Sequence, residues 1–209
     1  MGKAYHLHSL TDKWLIAPSL RIGHQWLDSA ARVGGFVLNV RLKTVKALAI
    51  EIAEEDGAGP VNLLSPIQGV MLVSRLLRDE KASEAYLGSF GLRPELAETV
   101  YRTIQDLRLA GVTPEAIVPG QYETPEKLRE IRRVLTAYEV ELRNAKLSDY
   151  ADVLIRATNF VRNNPGHFGD VQILLPADLD FVALERDFLD ALPAENRIVL
   201  RNVGIFDPE

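Results

Sequence analysis

Four short apolar runs punctuate this chain: WLIAP (14–18), FVLNV (36–40), the front of VQILLPADLD (171–180) and NRIVLRN (196–202). Helix-like stretches separate them, and no convincing strand pattern occurs from 61 to 165. Apolar runs joined by helical crossovers specify a parallel sheet with helices on both faces. The expected fold is therefore α/β: residues 1–60 and 150–209 supply the sheet domain, and 61–149 form an all-helical subdomain inserted into it.

Helix signals fill the intervals. GHQWLDSAARVG predicts a helix over 23–33 stopped by Gly34-Gly35. KTVKALAIEIAEE predicts one over 43–55, with Val45, Leu48, Ala49 and Ile52 on one face. Ser65-Pro66-Ile67-Gln68 is a helix start in which serine caps, proline takes the first turn and glutamine reaches back. RPELAETVYRTIQDLRLAG predicts a helix ending at Gly111, with Leu96, Val100, Ile104 and Leu107 on one side. Thr113-Pro114-Glu115 and Thr124-Pro125-Glu126 repeat the cap-plus-proline pattern. The second opens the longest helix, whose seam of Leu128, Ile131, Leu135, Tyr138 and Leu142 is too short for a coiled coil and is expected to pack within the helical subdomain. Ser148-Asp149 starts a further helix, and FVALERDFLDAL predicts one over 181–192.

Composition narrows the function classes. A chain without cysteine holds no disulfide, thiolate metal site or iron–sulfur cluster. No stretch approaches the length of a membrane span and the first residues carry no apolar signal segment, so a cytoplasmic location without a membrane partner is expected. A net charge of −5 runs against a free-standing nucleic-acid binder. Two basic stretches remain, NVRLKTVK (39–46) and REIRRVL (129–135). The second is interleaved with Glu126, Glu130, Glu139 and Glu141 and reads as a solvated helix face. His6 and His8, two residues apart, make no metal pattern, and no metal or cofactor is expected. Trp14 and Trp26 are expected to pack the strand and helix that contain them.

The turn after the first run is where a parallel α/β sheet commonly binds phosphate. Laid on GxxxxGK[ST], it reads Pro18-Ser19-Leu20-Arg21-Ile22-Gly23-His24-Gln25, and only Gly23 matches. Pro18 lacks an N–H and has a fixed φ, His24 is shorter than lysine and mostly neutral, and Gln25 is a poor substitute for a metal-binding hydroxyl. The second nucleotide element would be a strand ending in Asp-Glu. Here Ile173-Leu174-Leu175 is followed by Pro176 and Ala177, neither of which binds a metal or takes a proton. No catalytic residue is assigned.

This order of parts resembles the first RecA-like (P-loop NTPase-like) domain of superfamily 1 helicases of the UvrD type. It is more closely similar to the N-terminal helicase-like region of AddB/RexB-type subunits of bacterial ATP-dependent helicase–nucleases. The resemblance is carried by FGLRPELAETVYRTIQDLRLAGVTPEAI (90–117) and by KLREIRRVLTAYEVELRNAKLSDYADVLIRA (127–157). Within the latter, Asp149-Tyr150-Ala151-Asp152-Val153-Leu154 is similar to the family's D-Y/F-x-D-x-L stretch. ILLPADLDFVALERDFLDAL (173–192) resembles the surroundings of its ILVDExQD motif, where Asp180 matches the final aspartate. The resemblance implies a helicase-like scaffold within a DNA end-processing machine for double-strand-break repair. Its nucleotide site would be vestigial, at Pro18, Gly23, His24, Gln25, Pro176, Ala177 and Asp180, and ATP hydrolysis by this segment is not expected. It further implies DNA and an AddA-like helicase subunit as partners, and a PD-(D/E)XK-type nuclease region in the parent protein.

By the same analogy Arg41, Lys43, Thr44 and Lys46 are candidate DNA contacts, although KTVKALAI reads equally as a capped amphipathic helix with lysines in solvent. Two other classes of function stay open. One is a divergent nucleotide-binding ATPase using His24 and Asp178; the other is a protein-interaction module working through its helices.

Overall fold

The computed structural model describes residues 11–32, 38–57, 59–78, 86–87, 93–118, 120 and 123–201. Among them are the strands β1 (Lys13–Ile16), β2 (Val40–Lys43), β3 (Gln172–Pro176) and β4 (Arg197–Leu200). The helices are α1 (Leu20–Arg32), α2 (Val45–Glu54), α3 (Pro66–Leu77), α4 (Pro94–Leu109), α5 (Pro125–Ala145), α6 (Tyr150–Asn163) and α7 (Ala183–Ala191). The chain divides into two compact units, one of residues 1–58, 156–181 and 185–209, the other of 59–155 and 182–184.

In the first unit all four strands run parallel, in the order β2-β1-β3-β4. Lys13 lies opposite Val40 on one side and Gln172 on the other. Ile16 and Ile173 are fully buried in the two central strands, as the unbroken apolar runs require. Val45, Leu48, Ala49 and Ile52 of α2 are all buried, so the 3.6-residue stripe faces a core.

Several boundaries differ from expectation for identifiable reasons. The second strand is VRLK (40–43), not FVLNV (36–40); residues 36–37 lie outside the described residues, as do His6 and His8. Asn39 has φ 55°, a left-handed conformation that asparagine tolerates and a strand does not, so extension begins only at Val40. Thr44 then stops it by capping α2, its hydroxyl accepting from Ala47 N–H at 3.1 Å. The first helix starts at Leu20, three residues before Gly23. Strand β3, by contrast, ends at Pro176 with the acidic turn following it, as expected.

The second unit contains α3, α4 and α5. Ser65 and Gln68 make both bonds of the capping box that opens α3. Thr113 and Thr124 make no side-chain cap bond, and the former precedes only the 3-10 turn Pro114–Ala116. Helix α4 closes at Gly111 (φ 73°), where Val112 N–H returns to Leu107 O at 2.9 Å. The seam of α5 is realised, with Ile131, Leu135, Tyr138 and Leu142 buried and Leu128 partly so. Gly69 of α3 lies under the Tyr101 ring of α4: a methyl group there would stand 2.3 Å from Cε2 and Cζ.

Candidate functional site

The chain leaves β1 toward β2 on one side and later returns to β3 on the other, which makes the carboxyl ends of β1 and β3 the topological switch point of the sheet. Ligands of open α/β sheets bind in that crevice. The connection after β1 is Ala17-Pro18-Ser19 alone, because α1 already begins at Leu20. Ser19 closes that helix itself, its carbonyl accepting from Gly23 N–H at 3.0 Å and its hydroxyl from Ile22 N–H at 3.3 Å. A loop that wraps phosphate needs several consecutive backbone N–H groups pointing inward. Here six of the eight residues aligned with the phosphate-loop pattern, Leu20 to Gln25, are wound into a helix.

Gly23 is thus a packing residue. It is the buried position of α1, and an added Cβ would meet Leu42 Cδ2 of β2 at 2.6 Å and Ala17 Cβ at 3.0 Å. Its absent side chain lets the helix approach the sheet, a role the motif alignment did not suggest. His24 and Gln25 follow on exposed positions of α1, and Pro18 is exposed. Across the crevice Pro176 is buried at the end of β3, and Ala177 N–H donates to Leu200 O at 2.8 Å, continuing the ladder to β4. Asp178 and Asp180 are exposed in the turn beyond. The fold therefore sets Pro18 and the Pro176–Ala177 pair at the ends of neighbouring strands, with no carboxylate at either strand's end. Among the described residues no group of three or more His, Asp or Glu side chains is arranged to hold a metal ion.

The basic candidates separate into two kinds. Arg41 lies within β2, exposed, 3.5 Å from Asp12, and Lys46 is exposed on the first turn of α2. Lys43 is turned inward: it pairs with Glu51 and its Nζ sits 5.1 Å from the centroid of Trp14. Thr44 is engaged as the α2 cap. Trp14 packs edge-on against Phe168 at 6.0 Å, which is the packing role expected for it.

A second polar centre, unassigned from sequence, lies in the helical unit. Arg108 occupies a core-facing position of α4, one helical turn beyond Ile104, with its side chain 7% exposed. Its Nε donates to Asp149 Oδ2 at 2.7 Å and its Nη2 to Asp149 Oδ1 at 3.2 Å, the two-pronged geometry that suits guanidinium and carboxylate. Nη2 also reaches Asp152 Oδ1 at 2.6 Å, and Nη1 reaches Glu139 Oε1 at 2.5 Å. Tyr138 Oη donates to Asp149 Oδ2 at 3.3 Å, and the guanidinium carbon lies 5.9 Å from the Tyr138 ring centroid. Asp149 and Asp152 cap each other, Asp152 N–H to Asp149 Oδ1 at 3.0 Å and Asp149 N–H to Asp152 Oδ2 at 3.1 Å.

The electrostatics follow from one cation shared by three carboxylates. Burial alone would lower the Arg108 pKa, but Asp149, Asp152 and Glu139 together hold it above the ordinary guanidinium value. Burial raises the Asp152 carboxyl, the neighbouring Asp149 raises it further, and Arg108 offsets only part of this. Burial and then Asp149 push the Tyr138 phenol up, so it remains a hydrogen-bond donor at neutral pH. This constellation joins α4, α5 and the start of α6.

Two of the glutamates expected on a solvated face of α5 are also accounted for differently. Glu130 is buried and its carboxylate accepts from Leu87 N–H, and Glu139 holds Arg108. Glu126, paired with Arg129 at 2.6 Å, fits the surface reading, as do the exposed Arg129 and Arg132 and the Glu141–Arg75 pair, whose side chains are 38% and 66% exposed. Sequence comparison adds no identity: no family model and no curated protein matches this chain. Among the described residues no helix is long and apolar enough to cross a membrane.

Proposed function

We propose that the chain is a non-catalytic, helicase-like domain of an AddB/RexB-type DNA end-processing helicase–nuclease. In this reading a RecA-like sheet domain carries an inserted helical subdomain, positions DNA and docks an AddA-like motor subunit. The supporting observation is the crevice between β1 and β3, which has the topology of a nucleotide site but is bordered by a three-residue link at 17–19 and by Pro176-Ala177. At 17–19 and 176–177 a triphosphate would meet no lysine and no carboxylate, and the hydroxyl there, Ser19 Oγ, is engaged as the cap of α1.

For DNA, Arg41 and Lys46 are the working pair because both are exposed, whereas Lys43 and Thr44 are half-buried. Surface ion pairs such as Arg41–Asp12 contribute at most about 1 kcal/mol and yield readily to phosphate. A docking role draws support from the outer face of α3, where Ile67 and Met71 are 74% and 67% exposed. Fluorescence anisotropy with a single-strand-tailed duplex at low salt tests the reading. Binding that weakens in Arg41→Ser/Lys46→Ser supports it; no binding at low salt, together with retention of a protein partner, leaves the interaction-module reading instead.

A further inference from the structure

Within the helical unit the stretch before α3 and the stretch before α6 are bonded to each other. Leu64 N–H donates to Ser148 O at 2.9 Å and Ser148 N–H to Asn62 O at 2.8 Å, forming an isolated parallel bridge between Leu63 and Ser148. Asn62 Nδ2 adds a bond to Lys146 O at 3.5 Å. A capped helix start follows directly on each side of this stem: Ser65 opens α3 and Asp149 opens α6. Asp149 is also the point on which Arg108 and Tyr138 converge, so stem and interior meet at one carboxylate. The apolar cluster containing Val73, Ile104, Leu135 and Tyr138 draws its buried members from residues 73–142, inside the same unit.

We propose that residues 62–149, closed by the stem between Leu63 and Ser148 and latched there by Arg108 and Asp149, form a cooperative unit that opens and recloses as a whole while the parallel sheet stays folded. A stem that joins the two ends meets the entropy of closing the long chain between them within the unit itself. A segment with its own core, caps and closure has what independent opening requires. The inference rests on the division of the chain and on these bonds, not on the functional reading above.

Hydrogen exchange followed by mass spectrometry on the full chain, in buffer and at low urea, tests it. The comparison is between the parent, Arg108→Met and the milder Tyr138→Phe, which removes the phenol hydroxyl bonded to Asp149 and Tyr101. Expected is one common opening for amides of α3, α4 and α5, accelerated about a hundredfold or more in Arg108→Met and about tenfold in Tyr138→Phe, with β1 and β3 at parental rates. Should Arg108→Met fail to fold, Tyr138→Phe carries the test alone. Loss of protection in β1 and β3 together with the helices would overturn the proposal. So would a loss confined to the turn at Asp149–Asp152, or unchanged rates in both variants.

Discussion

Arg108 grips Asp149 through two nitrogens, at 2.7 and 3.2 Å, and the two side chains are 7% and 5% exposed. A buried pair of this kind is costly to break from one side, because the abandoned charge keeps its desolvation penalty. Arg108→Met is expected to lose about 3–5 kcal/mol of stability in urea titration. Adding Asp149→Asn should return part of that loss, so the two effects fall well short of additive.

Asp152 gives a signed pH dependence. Its carboxyl is raised by burial and by Asp149, so the folded protein binds that proton more tightly than the unfolded chain does. This contribution to stability is full below the ordinary carboxylate range and declines as pH rises from there through the elevated value. Asp152→Asn removes it. Urea midpoints measured from about pH 4 to 7 should show a parent-minus-variant difference that falls with rising pH.

Gly69→Ala places a methyl group 2.3 Å from two Tyr101 ring atoms. Helix propensity favours alanine by about 1 kcal/mol, but overpacking against a buried ring costs about 1–3 kcal/mol. Net destabilisation is expected in thermal or urea unfolding, and Gly69→Ala/Tyr101→Leu should recover most of it.

Gly23→Ala tests the packing role of a residue that a motif alignment would give to phosphate. The new methyl group meets Leu42 Cδ2 at 2.6 Å and Ala17 Cβ at 3.0 Å, so the helix-propensity gain of about 1 kcal/mol should be lost to crowding, and Leu42→Ala in the same chain should restore part of it. A Gly23→Ala variant stabilised by the full helix-propensity gain of about 1 kcal/mol would contradict the close approach of α1 to β2.

The parallel sheet was legible because apolar runs in crossover order leave few alternatives: the strands β1, β3 and β4 lie within the runs around WLIAP, VQILLP and NRIVLRN, displaced by a residue or two. Among the described residues the second strand begins only at Val40 because Asn39, just before it, is left-handed. The apolar stripes of α2 and α5 could be read from spacing, since burial dictates both. Arg108 could not, because a cation at a core position looks like the end of a stripe until its anions arrive from α5 and from the turn before α6. One signal was available: Ala97, Tyr101, Ile104 and Arg108 recur at helical spacing, so a charge on that face requires partners. The link at 17–19 was likewise hidden, because sequence does not say where a helix starts when serine can cap it early.

Titration calorimetry of the purified chain with magnesium ATP, alongside a phosphate-release assay, tests the central claim most directly. A switch point bordered by Ala17-Pro18-Ser19 and Pro176-Ala177 predicts no saturable heat at micromolar nucleotide and no turnover. Micromolar, magnesium-dependent binding with hydrolysis, abolished in His24→Ala, would contradict it and establish a working nucleotide site on this sheet.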